Sequence, residues 1–240
     1  GGQSTGGSRL SDFCAVRPLL LVAMRVALGA ICCAAVDVEL TAFDGSTPSH
    51  FIELNDPVMG GQSTGTWTVN DQGKYGVMDG EVKDVPSLKA PGFVAVKCDD
   101  TFPDASATAS GSVVMTVRST TPEYTGFKLA IAAGTVSPSY SCRGGGTIPG
   151  SRGCFKAPFT VPAGDDFVEV RIPFSAFSDN WSPYTGDQIK TCKEDKDVCP
   201  TADALKTIKE LQLMAEGHDG KVHLEVKSIT ASDDSVVSFV

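Results

Sequence analysis

Histidine is scarce: His50, His218 and His223 are the only three in 240 residues. They fall in a loop, a turn and a strand, with no nucleophile set beside any of them. His-Glu-x-x-His is missing, and so is the Gly-Lys-Ser/Thr ending of a phosphate loop, so zinc-peptidase and nucleotide chemistry lack their usual marks. The chain has no lysine- or arginine-rich block and carries a net charge of −9. A surface for nucleic acid or an anionic membrane is therefore not expected. Long uncharged apolar runs are also lacking: Pro18–Val36 is interrupted by Arg25, which is costly at mid-bilayer.

That interrupted run reads better as a leader than as a span. From Met24, Arg25 gives a positive start, Val26–Ala35 an apolar stretch of secretory length, and Cys33-Ala34-Ala35 small residues for cleavage. The expected organisation is an upstream segment (1–23), a signal peptide (24–35) and one acidic domain (36–240). Secretion, or delivery to an organelle lumen, follows, without membrane insertion of the domain. An oxidising compartment fits two local disulfides, Cys142–Cys154 and Cys192–Cys199, with Cys98 left over. Zinc is the rival, but neither pair has Cys-x-x-Cys spacing.

What is abundant is turn-forming residues, 25 glycines and 14 prolines, between short apolar runs. Alternation marks strands at 36–43, 65–70, 75–82, 92–98, 112–119, 126–133, 166–174, 209–216 and 221–231. One helix is predicted, capped at 201–203 and running through "ALKTIKEL" (204–211). The Gly-rich segment 134–165 reads as a loop tied by its cysteines. Nine or ten strands with one short helix make the expected fold all-β, a single β-sandwich.

The most specified stretch is "NDPVMGGQSTGTW", 55–67, whose core GGQSTG also occurs at 1–6. Asn55 and Asp56 start a turn and Pro57 fixes its entry. Gly60 and Gly61 allow positive φ or close approach, and Gln62 and Ser63 supply donors and acceptors. Two readings stand: a corner that satisfies its own backbone and pins two strands, or a recognition lip.

These residues resemble the complex I intermediate-associated protein 30 family. The likeness begins at "NDPVMGGQST" and "FDG" (43–45). It continues through "APGFVAVK" (90–97), "GSVVMTVRS" (111–119), "GFKLAI" (126–131), "VEVRIPFSAF" (168–177) and "GKVHLEVKSI" (220–229). Ala90-Pro91-Gly92-Phe93 stands in place of the family's paired-glycine motif, and Lys97 stands where the family tends to have Arg. "DNW" and the stapled 186–200 segment resemble a secreted branch seen in algae and protists. The resemblance implies a galactose-binding-domain-like jelly roll serving as a non-enzymatic binding or assembly module. A protein client or complex subunit is then the expected partner. A glycan is the alternative, and a structural role in a respiratory or photosynthetic complex the second. It also implies a mitochondrial address, which the apolar leader does not match.

The binding candidates are Asn55, Asp56, Met59, Gly60, Gly61, Gln62 and Ser63, together with Trp181 and Tyr184 as aromatics able to stack on a sugar. Trp67, in a strand, is expected in the core. No catalytic residue, cofactor or metal is expected. The acidic clusters at 98–104, 163–166 and 193–197 lack a calcium-loop pattern.

Overall fold

The computed structural model describes residues 35–56, 60–134, 142 and 145–233. The upstream segment and nearly all of the leader lie outside them, as does Met59. Among the described residues the strands are β1 (Asp37–Ala42), β2 (Ile52–Asn55), β3 (Thr64–Asn70), β4 (Tyr75–Val82), β5 (Asp84–Val85), β6 (Ala90–Pro91) and β7 (Phe93–Asp99). They continue with β8 (Ser112–Arg118), β9 (Phe127–Ala133), β10 (Cys154–Pro158), β11 (Val168–Pro173), β12 (Ile208–Glu216) and β13 (Gly220–Ser232).

Two antiparallel sheets form the body. One runs β11-β8-β13-β4-β3, with β1 beside the far half of β13; the other runs β10-β9-β12-β7-β2. Apart from the small β5–β6 ribbon, the chain changes sheet at every connection except the β3–β4 and β9–β10 hairpins. This is a jelly-roll β-sandwich.

Alternation explains the core. Phe127, Leu129 and Ile131 of β9, Leu211 and Leu213 of β12, and Val222, Leu224 and Val226 of β13 all point between the sheets. In β13 the register shifts between Val226 and Ser228. That extra residue resets the inward set to Ile229 and Ala231, where the partner changes from β4 to β1. Each fully buried Leu or Ile stabilises the fold by about 2 kcal/mol through apolar transfer.

The five-stranded sheet is covered on its outer face as well, and every residue of β9 is buried. Besides Lys128, its outward positions are small, Ala130 and Ala132, and these pack with Ala95 of β7, Cys142, Cys154 and Met214 in a second apolar cluster. Alanines let a covering segment approach the sheet closely. The Cys142–Cys154 bridge fastens Cys142 to the first residue of β10.

The helix is shorter than its sequence pattern predicts. Thr201 caps it, its side chain accepting from the Ala204 N–H, but it ends at Leu205. Ile208–Leu211 belongs to β12, where Leu211 pairs with Cys98 on one side and Ile131 on the other. Pairing on both edges of a central strand outweighs a weak helical propensity. No helix among the described residues is long and apolar enough to cross a membrane.

Candidate binding site

The 55–65 corner is a lock built from polar side chains turned inward. Asn55 Nδ2 donates to the Gly65 carbonyl at 2.8 Å, tying the end of β2 to β3. One residue pair further along, Glu53 Oε1 accepts the Trp67 N–H at 2.9 Å. Asp56 is buried in a niche walled by Gly61 and Gly92. A Cβ on Gly61 would lie 2.3 Å from the Asp56 carbonyl oxygen, and one on Gly92 would lie 2.1 Å from its carboxylate. Ser63 Oγ accepts the Lys83 N–H at 3.1 Å, holding the chain that leads into β7. Gly60 sits at φ +85°, in the left-handed region. Gly92, the glycine that "APGF" keeps, is the one packed against the Asp56 carboxylate.

Beside this lock, on the outer face of the five-stranded sheet, lies a pocket of about 360 Å³. Leu54, Phe93 and Met214 from three adjacent strands form its apolar floor, with Cys142. Val85, Leu88 and Pro91 line it from the β5–β6 ribbon, and Pro183–Gly186 from the 179–190 loop. Asn55 and Asp56 border it at the β2 edge of the sheet. Gln212, Glu216 and Lys156 border it toward β12 and β10.

The polar end is a buried charge cluster. Glu216 Oε2 accepts from Lys156 Nζ at 2.9 Å and from Lys128 Nζ at 3.1 Å, and Lys128 also donates to the Gly186 carbonyl. Both ammonium groups lie 5.0 Å from the Trp181 ring centre, in cation–π range. Burial alone would raise the Glu216 pKa, but the two ammoniums, Lys156 foremost, hold it down at about 2. Burial pushes Lys128 downward, against the pull of Glu216. Further along the same face, Glu210 is fully buried and accepts from Gln212 Nε2 at 2.6 Å. Burial, then its contact with Asp99, raises it to about 7.

Residues 41–226 match the family model described as Complex I intermediate-associated protein 30. The chain belongs to this family. No curated protein matches it. Among solved structures it is similar to a family 11 carbohydrate-binding module from Clostridium thermocellum in complex with a β-1,3-1,4-mixed-linked tetrasaccharide. That pair is 12% identical, covers 81% of this chain and 94% of the other, and has a TM-score of 0.48. The same module family from the cellulosomal cellulase Lic26A-Cel5E of Clostridium thermocellum gives 13% identity, 80% and 92% coverage and a TM-score of 0.47. A glycoside hydrolase domain of Endo-D from Streptococcus pneumoniae R6 gives 11%, with 77% of this chain on 22% of that one and a TM-score of 0.36. No site chemistry follows from likenesses this distant.

In this member of the Complex I intermediate-associated protein 30 family, the motif residues divide by location. Asn55 and Asp56 reach the pocket, Ser63 is buried in the lock, and Gly60 and Gln62 face solvent. Tyr184 stands at the pocket rim, 65% exposed. Trp181 corrects the expectation of an exposed aromatic. It is 2% exposed, its Nε1 donating to the Ser178 carbonyl, with the two lysines against its ring. It therefore cannot stack on a sugar. Trp67 is half-buried, packing against Phe43 and Phe51 at the edge of the core.

Gly61–Gly65 spells Gly-x-Ser-x-Gly, against the expectation that no such nucleophile motif occurs. Ser63 does not sit on a strand-to-helix elbow; it leads into β3, buried, with its hydroxyl on the Lys83 backbone. No histidine ring contacts it. The His223 ring lies between Asp79 of β4 and Glu225 of β13, one and two strands in from β3.

Lys128, Lys156 and Glu216 escape sequence reasoning. Their only signal is a charged residue at an outward position of a strand whose inward face is apolar. Both expected disulfides are formed, and Cys98 is a buried thiol that burial raises to about 11. Among the described residues no group of three acids, histidines or cysteines is placed to hold a metal. Asp104 instead accepts the Ser106 N–H, and Asp195 pairs with Lys190.

Proposed function

We propose that this protein is a non-catalytic, assembly-factor-like binding module of the secretory pathway or an organelle lumen, and that it holds a protein partner. The observation that carries the reading is the pocket itself, a preformed concavity with an apolar floor and few polar groups beside a rigid glycine corner. Apolar floors of this size take hydrophobic side chains, which anchor protein partners. Family membership supports it, and so do the two disulfides, which fit an oxidising compartment. The glycan reading retains one observation, exposed Tyr184 on the rim, and loses Trp181 as its second platform.

The test is affinity capture from native lysate with the chain and its Met214→Arg variant, run in parallel with a glycan array. A protein retained by the native chain and lost on Met214→Arg is expected. Retention of glycans only, abolished by the same substitution, would replace this reading with the carbohydrate one.

A further inference from the structure

We propose that the pocket receives the carboxy-terminal end of the partner polypeptide, with an apolar last side chain on its floor and the free carboxylate on Lys156. The inference rests on the protein-binding reading above and specifies which part of the partner enters.

Lys156 is 3% exposed yet lines the pocket. An ammonium has three donors. Glu216 accepts one, and the Trp181 ring offers an electron-rich face near the group. Lys128 differs: it shares Glu216 but also has the Gly186 carbonyl, so its donors are better used. A buried ammonium with donor capacity left on a cavity calls for an acceptor.

The sign of that acceptor follows from the cluster. Among the groups in contact, two ammoniums share one carboxylate, which leaves one positive charge in excess there; exposed Asp187 acts on Lys128, from beyond ion-pair distance. Asp56, the other acid on the pocket, does not cancel it. Asp56 follows β2 and Lys156 is on β10, at opposite edges of the five-stranded sheet. Four strand spacings separate those edges, about 19 Å, and the Asp56 side chain is turned into the Gly61–Gly92 niche. Between them lie Met214, Phe93 and Leu54. A ligand matching this layout carries an anionic head at the β10 end and an apolar body toward β2. A polypeptide ending in a large apolar residue has both, its carboxylate and its last side chain springing from one carbon.

The probes are N-acetyl-Ala-Leu-Phe as free acid and as amide, titrated into the full chain by calorimetry and by amide NMR shifts. The acid should bind at least about tenfold more tightly than the amide, the value of a hydrogen bond to a charged group. Lys156→Met, which keeps the stem and removes the charge, should abolish that preference while its thermal melt stays cooperative. If Lys156→Met does not fold, the acid-against-amide comparison in the native chain decides alone. Equal binding of acid and amide, or no binding of either at millimolar concentration, overturns the proposal. Displacement of the peptide acid by sodium octanoate or by a mixed-linkage glucan oligosaccharide at lower concentration also overturns it, in favour of a lipid or a glycan. Should lysate partners be lost on Met214→Arg while acid and amide bind alike, the protein reading stands and this inference alone fails.

Discussion

Glu216→Gln isolates the buried charge cluster. The substitution keeps shape and one acceptor oxygen but removes the counter-charge facing Lys128 and Lys156, whose side chains are almost fully buried. Breaking a buried ion pair from one side costs about 3–5 kcal/mol, because the remaining charge is uncompensated. The acid's own titration gives a second measure. A carboxyl held at about 2 instead of 4.5 is favoured in its charged form by about 3 kcal/mol. The expected loss is therefore about 3 kcal/mol at pH 7, read from urea unfolding with m unchanged. Two further readouts distinguish charge from packing. In the variant Lys128, already pushed down by burial, loses the pull of Glu216, so the unfolded chain binds more protons and stability should recover as pH rises toward the ordinary lysine value of about 10.4. The double variant Glu216→Gln, Lys156→Met should also regain more than half of the loss, since the two sites share one contact. A cost under about 1 kcal/mol, with no recovery at high pH, would refute the argument by showing that water already compensates these lysines.

Other expectations concern the corner, the sheet face and the staple. Gly61→Ala forces a Cβ onto the Asp56 backbone oxygen and should cost about 2–3 kcal/mol. Gly60→Ala, strained only by its φ of +85°, should cost about 1 kcal/mol; thermal midpoints that rank the two in reverse would contradict the lock. Glu210 keeps its proton to about pH 7 when folded against 4.5 as its ordinary value, so the folded state binds more protons in that window. Its contribution is full below pH 4.5 and falls by about 3 kcal/mol as pH rises to about 7; Glu210→Gln should flatten that slope. Cys142→Ser with Cys154→Ser opens a loop spanning 12 residues and should lower stability by about 3 kcal/mol, measured against the oxidised parent.

The sandwich was legible because its strands alternate. Runs such as Val168–Pro173 and Gly220–Ser232 state their inward set residue by residue. β10 was hidden because "CFKAP" lies inside a Gly-rich segment, and β2 because the turn motif that follows it dominates the eye. The helix overran because a cap is a local signal, whereas β12 is set by two partners distant in sequence. The candidate site was legible at one edge only. Asn55 and Asp56 announce a specified corner, but the pocket needs Lys156, Gln212 and Glu216, drawn from strands about 60 and more positions apart from each other or from the corner. Trp181 was misplaced for a related reason: a tryptophan among Ser, Asn and Pro looks exposed until two lysines from the sheet arrive against its ring.

The bonds that Asn55 and Glu53 make to the backbone of β3 have an outcome beyond pinning a corner. β3 ends its sheet, and a terminal strand invites a neighbouring molecule to zip onto it. Here the Gly65 carbonyl and the Trp67 amide, the very groups such a neighbour would use first, are already taken by side chains of the same molecule. The protein thus carries its own guard against fibril-like self-addition, and Asn55→Ala with Glu53→Ala would leave a folded chain that clumps as it is concentrated.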